Sequence, residues 1–575
     1  MISKYKKKTM SLLVMAIFVL VCFIFVDIKY DENIRFSKDS GFYSQAFELH
    51  IIGGGGNRVY YTLDGSEPSE KSYLYDEKNP ILIEDATIQE NVYSARTDTS
   101  TSFMTELVEQ YSMNNPNYTV PNYNVDKCNV VRASVYDEEG RCLDSIEGVF
   151  FVGFEEKQGY DDIYVASIVT DPENLFGYEK GIYNTGRLFD EYLSAGFDPE
   201  DWKSDYWWWW NANYKQEGRE AEREATVTIF NEKRDVVLNN NCGIRIQGGG
   251  SRGYLPKSIG CFARIEYSGS NEFSAELFDK NVFPHKFVFF SGGDDNVFKL
   301  KDYLANYLEK ELNFATMDFI PCAVFLDGEY WGVYYITENY NADYVSDHYD
   351  VNKDQVIIVK NKEITEGEES DLNMFFSMQE YISSNDMTIS ENYYQASTLI
   401  DIDSYIDYYA AQIYIGRNND WPGGNWAAWR TRENDGSKNG DGRWRWMLFD
   451  VNSGGLNLSQ MDQNVLNEAL ERDPVFYSLY QNEEFRIKFA QRILYIGDKI
   501  YTPEKYEAFL EQYVLTMKEP ILVSNLRYYN ATREEAFEQN VENMRMFFSL
   551  RYEAVWNLLV NNMGETWLKE NGIQK

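Results

Sequence analysis

The sequence predicts an α+β fold that follows a small β-sandwich and an N-terminal apolar helix. Three observations lead there. An uncharged apolar run over residues 10–26 stands behind Lys4, Lys6, Lys7 and Lys8. From Phe36 to about Val152, short alternating stretches are separated by Gly-rich and Asp-Gly turns. Beyond Asp161, strand and helix patterns mix. The expected divisions are 1–30 (basic segment and transmembrane anchor), 31–155 (β-sandwich) and 156–575 (mixed domain with a helical C-terminal part). A chain of 575 residues, 44% hydrophobic and 16% aromatic, has material for large cores.

At about 1.5 Å per residue, the first apolar run nearly spans a hydrocarbon core. The lysines stay on the cytoplasmic side and no small-x-small cleavage site follows. The segment therefore reads as an uncleaved signal anchor with everything after Asp27 outside the cell. A cleaved signal peptide is the alternative, and a lipoprotein anchor at Cys22 fits less well because Val21 precedes it. The 92 acidic and 54 basic side chains leave a formal charge of −38, which argues against a nucleic-acid partner that tracks phosphates. Three histidines, His50, His285 and His348, are too few and too scattered for multi-histidine zinc chemistry, whereas oxygen-ligated magnesium or calcium stays open. The cysteines show no C-x-x-C spacing. Buried free thiols, or a Cys128–Cys142 or Cys242–Cys261 bridge, are the readings available.

In the sandwich, strands such as Phe47-Glu48-Leu49-His50-Ile51 and Val59-Tyr60-Tyr61-Thr62 lead into Leu63-Asp64-Gly65-Ser66-Glu67-Pro68. There Asp-Gly makes the turn and Pro68 stops the ladder. A later strand reads Cys128-Asn129-Val130-Val131-Arg132-Ala133-Ser134-Val135-Tyr136. The turn Y-T-x-D-G-S-x-P followed by such a strand resembles the fibronectin-like module at the C-terminal end of chitobiase-type glycosidases, with Glu90 to Pro121 as an insertion. A spacer role or a carbohydrate contact would follow.

The mixed domain opens with a strand at Ile163–Val169 and carries four tryptophans at Trp207–Trp210, read as a packing cluster or, less readily, a stacking platform for sugars. The strand Gly243-Ile244-Arg245-Ile246-Gln247 runs into Gly248-Gly249-Gly250-Ser251-Arg252-Gly253, and Cys261 to Tyr267 reads as another strand. A Gly-rich loop between two strands is how protein kinases cover phosphates, with a lysine nearby. Lys257 is that candidate, and Gly250, Ser251 and Arg252 supply the loop. The same residues satisfy G-x-S-x-G, but Pro256 and the scarcity of histidines disfavour Ser251 as a nucleophile. Asp302 to Leu308 reads as a helix and Asp327-Gly328 as a hairpin turn leading to Glu338, a carboxylate placed to orient Lys257 or contact a nucleotide.

The strongest chemical pattern is Asn419-Asp420-Trp421-Pro422-Gly423-Gly424-Asn425. Asp420 and Asn425 have the D-x-x-x-x-N spacing of a phosphotransfer loop, in which Asp accepts a hydroxyl proton and Asn ligates metal. Trp444 to Phe449 alternates as a strand and ends in Asp450, where a kinase carries a metal-binding aspartate. Ile402–Ile415 and most of Asp473–Leu568 read as helices, punctuated by Pro503 and Pro520.

G-I-R-I-Q-G-G-G-S-R from Gly243, Lys257-Ser258, D-G-E-Y-W-G-V-Y from Asp327, Thr337-Glu338, N-D-W-P-G-G-N-W from Asn419 and D-G-R-W-R-W-M-L-F-D from Asp441 occur in order. Together they resemble the CotH family, the spore-coat kinases and their cell-surface relatives, over Asp161 to at least Asn457. The resemblance implies an atypical protein-kinase-like fold that uses ATP and Mg2+ to phosphorylate Ser or Thr hydroxyls of a surface or coat protein. It assigns Lys257 to phosphate, Asp420 to catalysis, and Asn425 and Asp450 to the metal. Asn452 stands where members often carry a second Asp, and Gly260 where many carry a basic residue. The alternative from another class is a catalytically silent surface scaffold or adhesin that binds glycan or protein.

Overall fold

The computed structural model describes residues 33–112, 114–275, 277–278 and 284–575. The apolar run at 10–26 lies outside the described residues. Among the described residues no helix is long and apolar enough to cross a membrane.

The chain divides into two compact units. The first holds residues 33–88 and 127–155, and the second holds 89–126 and 156–575. In the first unit a five-stranded sheet runs in the order Gly41–Tyr43, Cys142–Val152, Asn129–Tyr136, Arg58–Thr62, Tyr73–Leu74, accompanied by two short two-stranded ladders. Alternate residues such as Val131, Ala133, Val135 and Phe150 bury against Leu49, Ile81 and Ile83, as period-two patterning requires. The Asp-Gly turn is closed by its own side chains. Gly65 has φ +83°, and the Ser66 N–H donates to Asp64 Oδ1 at 3.1 Å. The segment expected as an insertion in this module therefore groups with the second unit: Tyr93, Val108 and Tyr118 lie in its core.

The second unit begins with a closed seven-stranded barrel. Its strands are β1 (Tyr164–Val169), β2 (Arg223–Phe230), β3 (Val236–Gln247), β4 (Ser258–Phe262), β5 (Lys286–Phe290), β6 (Phe319–Leu326) and β7 (Glu329–Thr337), ordered β1-β2-β3-β4-β5-β7-β6. Closure comes from the parallel pairing of β1 with β6, and it removes the exposed edges that an open sheet would present. The β6–β7 hairpin turns at Asp327 and Gly328, both with positive φ (43° and 89°), the conformation an Asp-Gly pair favours. Between barrel and C-terminal helices lies an antiparallel sheet ordered β9-β8-β10-β11, made of β8 (Val356–Lys360), β9 (Glu363–Glu366), β10 (Ala427–Thr431) and β11 (Arg445–Met447). Two helices frame it, α1 (Lys301–Glu309) and α2 (Ile402–Tyr414), both matching the expected helical stretches.

Pro520 does not end a helix. It lies inside α3 (Pro503–Tyr529), and only Pro503 sits where a proline is cheap, at the first helical turn. An interior proline costs about 3 kcal/mol. Here the helix buries Tyr513, Met517, Pro520, Ile521 and Ser524, and this burial offsets that cost. Cys242, Cys261 and Cys322 are buried free thiols, Cys142 is an exposed one, and Cys128 is buried.

Candidate functional site

A cavity of about 770 Å³ lies between the barrel wall made by β3, β4, β5 and β7 and the sheet residues Ile358, Lys360 and Ala427. Strand alternation decides what faces it. Arg245 and Gln247 on β3, Ser258 and Phe262 on β4, and Lys286, Val288 and Phe290 on β5 line the cavity. Their neighbours Ile244, Ile246, Ile259, Cys261, Phe287 and Phe289 form the barrel core.

Three cations stand out on this wall. Arg245, Lys286 and Lys360 are half-buried, and none makes a hydrogen bond or ion pair with the described residues. Their charges rest on ring faces instead: Arg245 at 4.4 Å and Lys286 at 4.9 Å from the Phe262 centroid, Lys360 at 3.8 Å from that of Phe449. Burial, followed by repulsion from Arg245 and Lys360, pushes Lys286 down to about 7. Burial also lowers Lys360, against the pull of Asp450. The other cleft cations are paired, Arg264 with Glu222 at 3.0 Å and Lys353 with Asp343. In a chain of net charge −38, three cations in one cleft that are unpaired among the described residues are suited to a polyanion.

The Gly-rich loop over residues 247–254 enters the cavity through Gln247 and Gly248, the latter at φ +113°. Gly250, Ser251 and Arg252 do not line it. A Cβ on Gly250 would meet Trp208 at 3.0 Å and Trp209 at 3.2 Å, so the loop's outer side packs on the tryptophan cluster. Trp207 and Trp210 are core residues and Trp208 and Trp209 are partly buried. The side chain of Arg252 turns back on its own loop, donating to Gly248 O at 2.5 Å. Lys257 corrects the expectation that it binds phosphate. It is fully buried, and its ammonium donates to Arg252 O at 2.6 Å and Tyr254 O at 3.2 Å above the Tyr214 ring. Parity is the reason. Lys257 shares the core-facing side with Ile259 and Cys261, whereas Ser258 and Phe262 face the cleft. Glu338 does line the cavity, with both oxygens held, by His348 Nε2 at 2.7 Å and by the Asp318 N–H at 2.9 Å. Gly260, on the cleft side of β4, is paired with Arg245, so the positive charge comes from the neighbouring strand.

Asp420 and Asn425 lie on the loop between α2 and β10, and Asn425 Nδ2 approaches Asp420 Oδ2 at 3.5 Å. Asn425 and Asp450 both adopt the left-handed backbone (φ 56° and 58°), a conformation that Asn and Asp tolerate best among residues with a Cβ. Arg472 grips the loop from behind through the carbonyls of Asn419, Asp420 and Trp421 at 2.9–3.1 Å. Arg417, fully buried, reaches Asn425 O at 3.4 Å, Phe449 O at 2.9 Å and Asp450 O at 2.5 Å, so one guanidinium ties the Asp420 loop to the Asp450 turn. Asp302 on α1 is buried against this turn. Burial, then the charge of Asp450, raises its carboxyl to about 7. Burial, then Asp450, likewise raises Asp294. Arg245, Lys286, Lys360, Arg417 and Asp302 escaped sequence reasoning. The only signal available was charge at alternate positions of apolar strands, as in Gly243-Ile244-Arg245-Ile246-Gln247.

Among the described residues no group of three or more His, Cys, Asp or Glu side chains is placed to hold a metal ion by itself. Asp450 with Asn425 suits a magnesium ion that takes its remaining ligands from phosphate and water. A family model described as CotH kinase protein matches residues 244–555, over half of the chain, and one described as Fn3 associated matches residues 52–147. No curated protein matches the chain.

Proposed function

Since this chain belongs to the CotH kinase protein family, with an Fn3-like module on its N-terminal side, we propose that it is an atypical protein kinase. It transfers the γ-phosphoryl group of ATP to Ser or Thr hydroxyls of a surface or coat protein. One observation carries the reading: the unpaired cations Arg245, Lys286 and Lys360 share a cleft that ends, at Lys360 and Phe449, beside Asp450.

Each residue then has a task. Arg245, Lys286 and Lys360 neutralise the phosphate oxygens, and the N–H groups of Gly248 and its neighbours cover them. Asn425 and Asp450 would hold Mg2+, which when bound supplies charge neutralisation between phosphates. Asp420 accepts the proton of the acceptor hydroxyl as its oxygen bonds to the γ-phosphorus, while the bond from that phosphorus to the β–γ bridging oxygen breaks and ADP leaves. Arg417 holds Asn425 and Asp450 at a fixed separation, which matters because transfer depends on near contact of the reacting groups. The lysine-flanked apolar run at 10–26 supports a membrane-anchored placement at the cell surface, with protein or glycan neighbours there as partners.

The test is transfer of label from [γ-32P]ATP with Mg2+ to a Ser/Thr-containing acceptor protein by the full chain. Incorporation into phosphoserine or phosphothreonine that is lost in Asp420→Asn and Asp450→Ala supports the reading. Label transfer unchanged by both substitutions contradicts it.

A further inference from the structure

Asn452 stands two residues beyond Asp450, and its buried amide is fully used. Nδ2 donates one hydrogen to Asp302 Oδ2 at 2.6 Å and the other to Asp450 Oδ1 at 2.7 Å, while Oδ1 accepts the Asp294 N–H at 2.8 Å. An amide nitrogen has two hydrogens, and here each goes to a different carboxylate. The remaining oxygen of Asp302, Oδ1, accepts the Val451 N–H at 2.8 Å. Asp302 is thus buried with both oxygens on fixed protein donors.

The other acids are also committed. Asp294 bonds to Ser453 and Tyr254. Asp420 has the Asn425 amide beside it and is the proton acceptor of the proposed reaction. Asp450 Oδ1 is taken by Asn452, which leaves Oδ2 without a hydrogen bond among the described residues, and no three-acid metal cluster occurs among those residues. Protein kinases that bind two magnesium ions share them between an aspartate and a loop asparagine. A second ion adds two positive charges and needs anionic ligands beyond the nucleotide.

We propose that Asn452 sets the nucleotide site to a single divalent cation, acting as a neutral clamp that orients Asp450 and holds Asp302 out of the metal shell. The inference rests on the ATP reading above. It makes Asn452 a positioning residue for a metal held by Asp450, Asn425 and phosphate oxygens. An aspartate at this position would replace the two N–H donors by acceptor oxygens facing Asp302 and Asp450, a repulsion relieved by a second cation.

The test is the number of Mn2+ ions bound per full-length chain with the β,γ-imido analogue of ATP, read by equilibrium dialysis and by electron paramagnetic resonance. The wild type is expected to bind one ion with the spectrum of an isolated Mn2+. Asn452→Asp is expected to bind two, with spin coupling between them. Asn452→Ser, which keeps the site neutral but cannot bridge both acids, is expected to bind one ion about tenfold more weakly, because Asp450 loses its orienting donor. Two coupled ions in the wild type, or one ion in a folded Asn452→Asp protein, overturn this proposal while leaving the ATP reading intact. Absence of any nucleotide-dependent Mn2+ binding overturns both.

Discussion

The buried Arg417 guanidinium donates to the main-chain oxygen of Asp450 at 2.5 Å, and a second contact at 3.4 Å takes it to Asn425. The residues that would hold the metal are therefore tied together by one planar guanidinium. Lysine at this position keeps the charge but cannot bond several carbonyls in one plane. Arg417→Lys is expected to lower kcat by roughly 10- to 100-fold, the equivalent of one or two charge-assisted hydrogen bonds. The KM for ATP is expected to change by less than about threefold, since the phosphate cations are untouched. Steady-state kinetics on the folded variant checks this, and a large rise in KM with kcat preserved would contradict it.

Lys257 and Lys360 should respond in opposite ways to removal. Lys257→Met strands two loop carbonyls in the interior and is expected to lower Tm by roughly 4–10 °C. Lys360 is a half-buried cation with no ion-pair partner among the described residues, so Lys360→Met is expected to leave Tm unchanged or raise it by roughly 1–2 °C. The same substitution is expected to weaken ATP binding by roughly 10- to 100-fold. Thermal melts with and without Mg–ATP separate the two cases.

Lys286 gives a pH signature. Its value is lowered from 10.5 to about 7, so between these pH values the folded protein binds fewer protons than the unfolded chain. Its contribution therefore makes stability rise with pH across that window. Binding a polyanion has the opposite sign, because it favours the charged ammonium and takes up a proton. ATP affinity is expected to fall toward about tenfold per pH unit above pH 7.5. In Lys286→Arg, which stays charged, this dependence should vanish. A wild-type affinity that is flat from pH 7.5 to 9 would contradict the assignment of Lys286 to the phosphate wall.

The parts of the site that could be read from the chain are those whose geometry is local. Asp420 and Asn425 lie on one short loop shaped by Pro422 and two glycines, and Asp450 follows the strand Arg445–Met447 by three residues, so their places can be read from local sequence. Lys257 was legible as a lysine near a glycine loop but not as a core residue. The difference is one position of strand parity, set by pairing Gln247 with Ser258 across the loop. Asp302 meets Asn452 across 150 residues of sequence, and such a contact leaves no local pattern. Pro520 misled for a related reason: the helix through it is held by what it buries, which sequence punctuation does not report.

The most direct measurement is calorimetric titration of ATP into the full chain with Mg2+, run in parallel on Lys360→Met and Asp450→Ala. Saturable, metal-dependent binding in the wild type that is lost or at least tenfold weaker in both variants is the result the cleft geometry predicts. No binding up to millimolar ATP, or binding that neither substitution disturbs, would contradict it.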